Sequence, residues 1–419
     1  MKIVNQTTRL ACLSVATCAA LFTQPVAATE GYFALGYGPN QRALAGAGVA
    51  HGFEAMSVAV NPASATGVGH EVQIGLQFFS PRRGYTATGT GFVPTGTVDS
   101  GSNLFLIPNF SYNRPLDSGA VLNFSAYGNG GMNTDFGTGL AGCGSVFCGG
   151  PVGVDLSQLF LSATYAQKHG NLSWGIAPTL AAQRFEAKGL GAFAGISADA
   201  ANLTDNGHDI SYGFGMRAGL NWQATPTFSF GLAGQTKMYM SKFDKYAGLF
   251  ENGGDFDIPA SVTAGLAWKA HPKTTVMVDL QRIFYTGIGA VSNAGNAGPL
   301  GAPGGAGFGW DDVNVIKIAT EWKQSDKMTW RAGYAYATNP VGPEDVTLNI
   351  IAPGIVEHHF SLGGSYKYNE KSKLDFAVVI VPRSTVSGPE VTPAGVTPGS
   401  NIELYMRQFS LSVGWSHAF

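Results

Sequence analysis

Charge is scarce in this 419-residue chain. Only 12% of residues are Asp, Glu, Lys or Arg, about half the share of an ordinary soluble domain. The formal net charge is −2 and no block of basic residues occurs, so nothing offers a grip on a nucleic-acid backbone. Long apolar runs are missing too. Beyond the N-terminus no stretch reaches the ~20 residues of a membrane helix, and mean hydropathy is only +0.07. Cysteine is down to four, Cys12, Cys18, Cys143 and Cys148. No His or Cys cluster near the last two completes a metal site, and no cofactor motif stands out. "GAGVAHG" at 46–52 lacks the preceding strand and the spacing of a dinucleotide loop.

What the chain has is glycine and aromatic surface: 58 Gly, 26 Phe, 15 Tyr and 7 Trp. Lys2 and Arg9 precede an apolar core over 10–22, and Val26-Ala27-Ala28 offers small residues for cleavage. Residues 1–28 therefore read as a signal peptide. A lipoprotein reading is weaker, because Thr17 precedes Cys18. In the oxidising compartment that follows, Cys143 and Cys148 of "CGSVFC" are expected to form a tight loop disulfide.

The strand pattern sets the class. In "ISYGFGMRAGLNW", Ile210, Tyr212, Phe214, Met216, Ala218, Leu220 and Trp222 share one parity. Ser211, Gly213, Gly215, Arg217, Gly219 and Asn221 share the other. Seven apolar positions with aromatics near both ends match a bilayer-crossing strand with a lipid face and a small or polar lumen face. The pattern recurs from Val72, Phe228, Met328 and Phe360. Short turns such as "ATPT", "AHPKT", "KQSDKM" and "YNEKSK" alternate with Gly/Pro/Asn-rich stretches near 133–155, 189–207, 287–309 and 387–400. The chain ends on an alternating strand, Phe409, Leu411, Val413, Trp415, His417 and Phe419, and a terminal aromatic there resembles the signal read by the barrel-assembly machinery. The expectation is an all-β, transmembrane antiparallel barrel of about fourteen strands over residues 70–419. Such a lumen is too wide for strand side chains to fill. Residues 29–69, rich in Ala and Gly, precede the first strand and are expected to fold inside it as a plug.

At this point the sequence resembles a family. "GYGPNQRALAGAGVA", "NPAS" and "QFFSPRRGY", with "FDIPASVTAGLAWK", "WDDVNVIKIATEW", "WRAGYAYATNPV" and "HHFSLGGSYKY" further on, resemble the FadL family of outer-membrane transporters for long-chain fatty acids and other hydrophobic compounds. The resemblance implies a fourteen-stranded barrel with an N-terminal hatch, whose motif here is Asn61, Pro62 and Ala63. It also implies a kink in the third strand that opens the wall, matched here by Gly128, Asn129, Gly130 and Gly131. The alternative is that the strand simply ends at these glycines.

A fatty-acid carboxylate would want a lumenal cation. Arg184 matches a region where the family has such residues, and parity puts Arg217 and Lys317 inside; lumenal salt bridges bracing the wall are the alternative. The implied function is passive uptake of fatty acids or aromatic hydrocarbons. Capture in the outer loops would precede hatch movement and release through the wall into the outer membrane. The implied surroundings are outer-membrane lipid and lipopolysaccharide, and family members are monomers. A general porin or an adhesin barrel is the rival. His359 and Ser361 on one face resemble outer-membrane phospholipases, but "HFSLG" lacks the Asn after the Ser, so no enzyme is expected.

Overall fold

The computed structural model describes residues 30–392 and 395–419; the expected signal peptide lies outside them. Fourteen strands form one closed antiparallel sheet. They are β1 (Glu71–Thr88), β2 (Phe105–Pro115), β3 (Val121–Phe136), β4 (Val152–His169), β5 (Leu172–Lys188), β6 (Asp209–Gln223), β7 (Phe228–Gln235), β8 (Ser261–His271), β9 (Thr274–Ile283), β10 (Val313–Lys323), β11 (Met328–Ala337), β12 (His358–Lys367), β13 (Ser372–Gly388) and β14 (Asn401–Ala418). Each strand pairs with its chain neighbours, and β1 closes on β14 from Glu71 opposite Ala418 to Thr88 opposite Asn401. Closure leaves no sheet edge, which hydrocarbon solvent demands because it cannot hydrogen-bond a bare backbone.

The period-two reading holds residue by residue. On β6, Tyr212, Phe214, Met216, Leu220 and Trp222 are exposed, whereas Ser211, Gly215, Arg217 and Gly219 are buried. Exposed Trp222, Phe228, Trp268 and Trp322 lie beside the short turns. Phe228 and Trp268 stack there with ring centroids 5.9 Å apart. This belt belongs at a membrane–water interface, where ring bodies are apolar and ring edges are wet.

The connections at one end are short, 170–171 and 272–273 being the shortest. At the other end they are long. Stretches 189–208 and 284–312 were expected, but 89–104, 236–260 and 338–357 are also long and had no clear signal in the sequence. The expected loop near 133–155 is shorter, because β3 runs on to Phe136 and β4 starts at Val152. It contains the Cys143–Cys148 disulfide, with Cα atoms 5.2 Å apart. Glu390 fastens two of these loops together. Its carboxylate accepts the backbone N–H groups of Gly91 (2.8 Å), Phe92 (2.9 Å) and Val93 (2.6 Å) and the Thr397 hydroxyl (2.7 Å). Burial opposes ionisation of Glu390, yet these donors outweigh it and hold the carboxyl below its ordinary range.

Residues 30–69 are almost wholly buried. Inward glycines on β6, β7, β11, β12 and β14 lie against Asn61, Val49, Leu44, Ala43 and Pro39 of this segment. The segment therefore touches the inner face of the sheet on strands spread around the ring.

Candidate functional site

The inner face holds the segment with charge and with amides. Lys317 on β10 points inward, as its parity requires, and its Nζ lies 2.8 Å from Oε1 of Glu30; both side chains are buried. Asp279, directly opposite Lys317 on β9, accepts the N–H groups of Gly48 (2.8 Å) and Val49 (2.9 Å). Arg331 on β11 pairs with Glu321 at 2.8 Å and donates to Asn40 Oδ1 at 2.8 Å. Arg217 on β6 donates to the Tyr127 hydroxyl and to the Ala59 carbonyl. Arg217 and Lys317 thus brace segment to wall. Arg184 does not join them. It shares the parity of exposed Ile176 and Leu180 on β5 and pairs with Asp155 at 3.1 Å, beside His208. Its placement in the lumen is therefore corrected. It lies on the outward face, above the apolar band.

Asn61, Pro62 and Ala63 begin a short 3₁₀ turn, Pro62–Gly67. Asn61 Oδ1 accepts the Ala63 N–H at 2.9 Å, while its Nδ2 donates to the Val49 carbonyl (2.7 Å) and to the Leu220 carbonyl of β6 (3.0 Å). Pro62 sits where a helix needs no N–H. The motif caps a turn and ties it to the wall. A Cβ on Gly219 would stand 1.9 Å from Asn61 Oδ1, so this contact needs glycine on the strand.

The wall itself is interrupted at β3. Gly128 opposes Leu159 and Gly130 opposes Gln158, which leaves Asn129 as an extra residue in a bulge. The strand does not end at the glycines; it continues to Phe136. Pairing with β2 stops at Asn109 opposite Tyr127, and Phe105–Pro108 of β2 pair only with β1. The outer half of β3 therefore has no strand on its β2 side. The N-terminal segment takes that place from within. Gly131 N–H donates to the Tyr32 carbonyl (3.0 Å), Ala34 N–H donates to the Asn129 carbonyl (2.9 Å), and Phe33 bridges to Gly130. A Cβ on Gly130 would lie 1.8 Å from the Tyr32 oxygen. The buried Asn129 amide donates to Gln158 (2.9 Å), which donates to Gln183 (2.9 Å). Against this gap lies a space of about 30 Å³ bordered by Phe79, Phe105, Met132, Met406 and Gly31.

Sequence reasoning missed the aromatic group above the segment. Tyr285 packs edge-on against Tyr32 (centroids 5.0 Å) and Trp310 (5.3 Å), and its hydroxyl donates to the Glu30 carbonyl at 2.7 Å. Tyr285 and Trp310 lie in loops, outside any alternating pattern. Their one signal was bulk in stretches otherwise rich in Gly and Ala. Farther out, the long loops enclose a cavity of about 430 Å³ whose wall includes Phe193, Ile196, Leu300, Phe308 and Leu348. A dry cavity of ~150 Å³ already suffices for benzene. Asp345 stands at its edge, pushed up to about 6 by burial and by the neighbouring charges of Glu344 and Asp311. His359 is buried on the inner face of β12, two residues from Ser361. Among the described residues no cluster of His, Cys, Asp and Glu could hold a metal ion.

A closed barrel with a lipid-facing apolar band and a filled interior defines a transmembrane outer-membrane protein. The model of the outer membrane protein transport family (OMPP1/FadL/TodX) matches residues 18–401, and the chain belongs to that family, a family of transport proteins. Solved structures share the fold. The toluene transporter TodX of Pseudomonas putida superposes with a TM-score of 0.68 at 18% identity, covering 92% of this chain and 99% of its own. The toluene transporter TbuX of Ralstonia pickettii gives 0.63 at 17%, covering 92% and 98%. A FadL homologue of Pseudomonas aeruginosa gives 0.67 at 14%, covering 93% and 100%. No curated protein sequence matches the chain.

Proposed function

We propose that this protein is a passive, monomeric channel for small hydrophobic molecules, hydrocarbons or long-chain fatty acids, and that it has no enzymatic activity. Cargo crosses the polar lipopolysaccharide layer poorly. The loop cavity captures it by burying methylene groups, each worth about 0.8 kcal/mol. Residues 29–69 act as a plug that bars the axial route. Cargo then leaves sideways between β2 and β3 into the membrane, once the Tyr32–Ala34 strand detaches. No energy source is required, because flow runs down the gradient into lipid. The terminal Phe419 serves the assembly machinery that inserts the barrel.

The observation that carries this reading is the early end of the β2–β3 ladder at Asn109 and Tyr127. A barrel wall in lipid ordinarily completes its backbone pairing strand to strand. Here a non-barrel segment supplies the missing partner, so the closure is detachable. Uptake of radiolabelled toluene and palmitate should be saturable in a complemented strain and lost in its deletion parent. Equal uptake by the two strains, for both compounds, would sink the proposal.

A further inference from the structure

We infer that Arg42 is the head-group site of the channel, binding the carboxylate of a long-chain amphiphile when residues 32–35 swing aside. This deepens the channel reading above and rests on it.

The inward-facing wall cations are engaged. Lys317 has Glu30, Arg331 has Glu321 and Lys373 has Glu71, while Arg217 has the Tyr127 hydroxyl and the Ala59 carbonyl and Arg83 has the Pro81 and Asn133 carbonyls. Arg42, on the short helix Pro39–Ala43 of the N-terminal segment, is different. It is 2% exposed, no carboxylate among the described residues pairs with it, and its Nη1 has no hydrogen-bond partner. A buried guanidinium without a counter-charge is among the costliest arrangements in a protein interior. Such a group is retained where an anion visits it.

The surroundings fit an amphiphile. Arg42 borders a small space lined by the polar residues Gln77 and Ser410 and by the apolar Phe79, Val379 and Val381. In the closed state that space is about 10 Å³, room for about one water. Gln408, Phe409, Ala34 and Leu35 complete its lining, and of these only Ala34 and Leu35 belong to the N-terminal segment. Ala34 also holds the bulge, through its N–H to the Asn129 carbonyl. Phe79 borders both this space and the one against the wall gap. One displacement therefore uncovers Arg42 and the exit together. A carboxylate on Arg42 would lay its chain along Phe79 and Phe105 toward the opening between β2 and β3. A guanidinium recognises a carboxylate through paired N–H donors, which an alcohol cannot match.

The test is equilibrium binding to the full mature chain in lipid nanodiscs at pH 8, with palmitate and hexadecan-1-ol as probes. The unsubstituted protein should bind palmitate about tenfold or more tighter than the alcohol, the discrimination of one charge-assisted contact. Arg42→Met should erase that preference by weakening palmitate far more than hexadecanol, and Arg42→Lys should restore part of it. Equal affinity for the two probes in the unsubstituted protein overturns the inference without any variant. So does an unchanged ratio in Arg42→Met. If neither probe binds, the inference has failed, whereas the channel reading fails only if toluene uptake is also equal in the complemented and deletion strains.

Discussion

Replacing Lys317 with Met should unseat the N-terminal segment without unfolding the barrel. The variant strands Glu30, whose side chain is 1% exposed, as a buried carboxylate with no cation. Breaking one side of a buried pair costs about 3–5 kcal/mol. The strand ladders do not depend on Glu30, so the penalty falls on the docking of residues 30–36. That corresponds to a shift of about 10²- to 10⁴-fold toward the undocked segment. Planar-bilayer recordings should show frequent openings where the unsubstituted protein is nearly silent. The electrophoretic shift of the heat-stable barrel should persist. Adding Glu30→Leu should quiet the channel again, because an apolar pair of similar volume is often as stable as the ion pair it replaces. A single variant as silent as the parent would mean that this pair does not hold the segment.

Replacing Gly130 with Ala should have the second-largest effect, through sterics rather than charge. The new methyl carbon would stand 1.8 Å from the Tyr32 carbonyl oxygen, a separation that no rotamer relieves. Strand pairing between Tyr32–Ala34 and β3 must then break, releasing the two backbone hydrogen bonds at 3.0 and 2.9 Å. At roughly 1 kcal/mol each, their loss predicts about 10- to 30-fold lower exchange protection at the Ala34 and Gly131 amides. Palmitate uptake should rise several-fold, since a methyl is too small to refill the gap. Unchanged protection at both amides would count against the segment as the closure of the wall.

Much of this was legible because a bilayer imposes period two so strictly. The faces of β6, the inward parity of Lys317 and Arg217, and the C-terminal strand follow from alternation alone. The positions that escaped are those where alternation stops or where two distant segments meet. Loops 89–104, 236–260 and 338–357 have no period to read. Arg184 was placed inside by resemblance, although counting from Ile176 and Leu180 puts it outside. The glycines around Asn129 marked an irregularity, but the departure of β2 from β3 depends on where β2 begins, which is a property of the whole barrel. That Glu30 meets Lys317, and that Arg42 meets no carboxylate, are contacts across hundreds of residues or none at all. Only the folded chain displays them.

The most direct test follows the cargo through the wall. A palmitate analogue with a diazirine near its tail, photolysed during uptake into outer-membrane vesicles, marks the residues it passes. Escape between β2 and β3 predicts adducts on Phe105, Ile107 and Met132, beside the opening. Adducts instead on Asn113, Asn123 and Thr164, the buried lumenal residues nearer the short-turn end, with none at the opening, would mean that cargo travels along the axis past the plug.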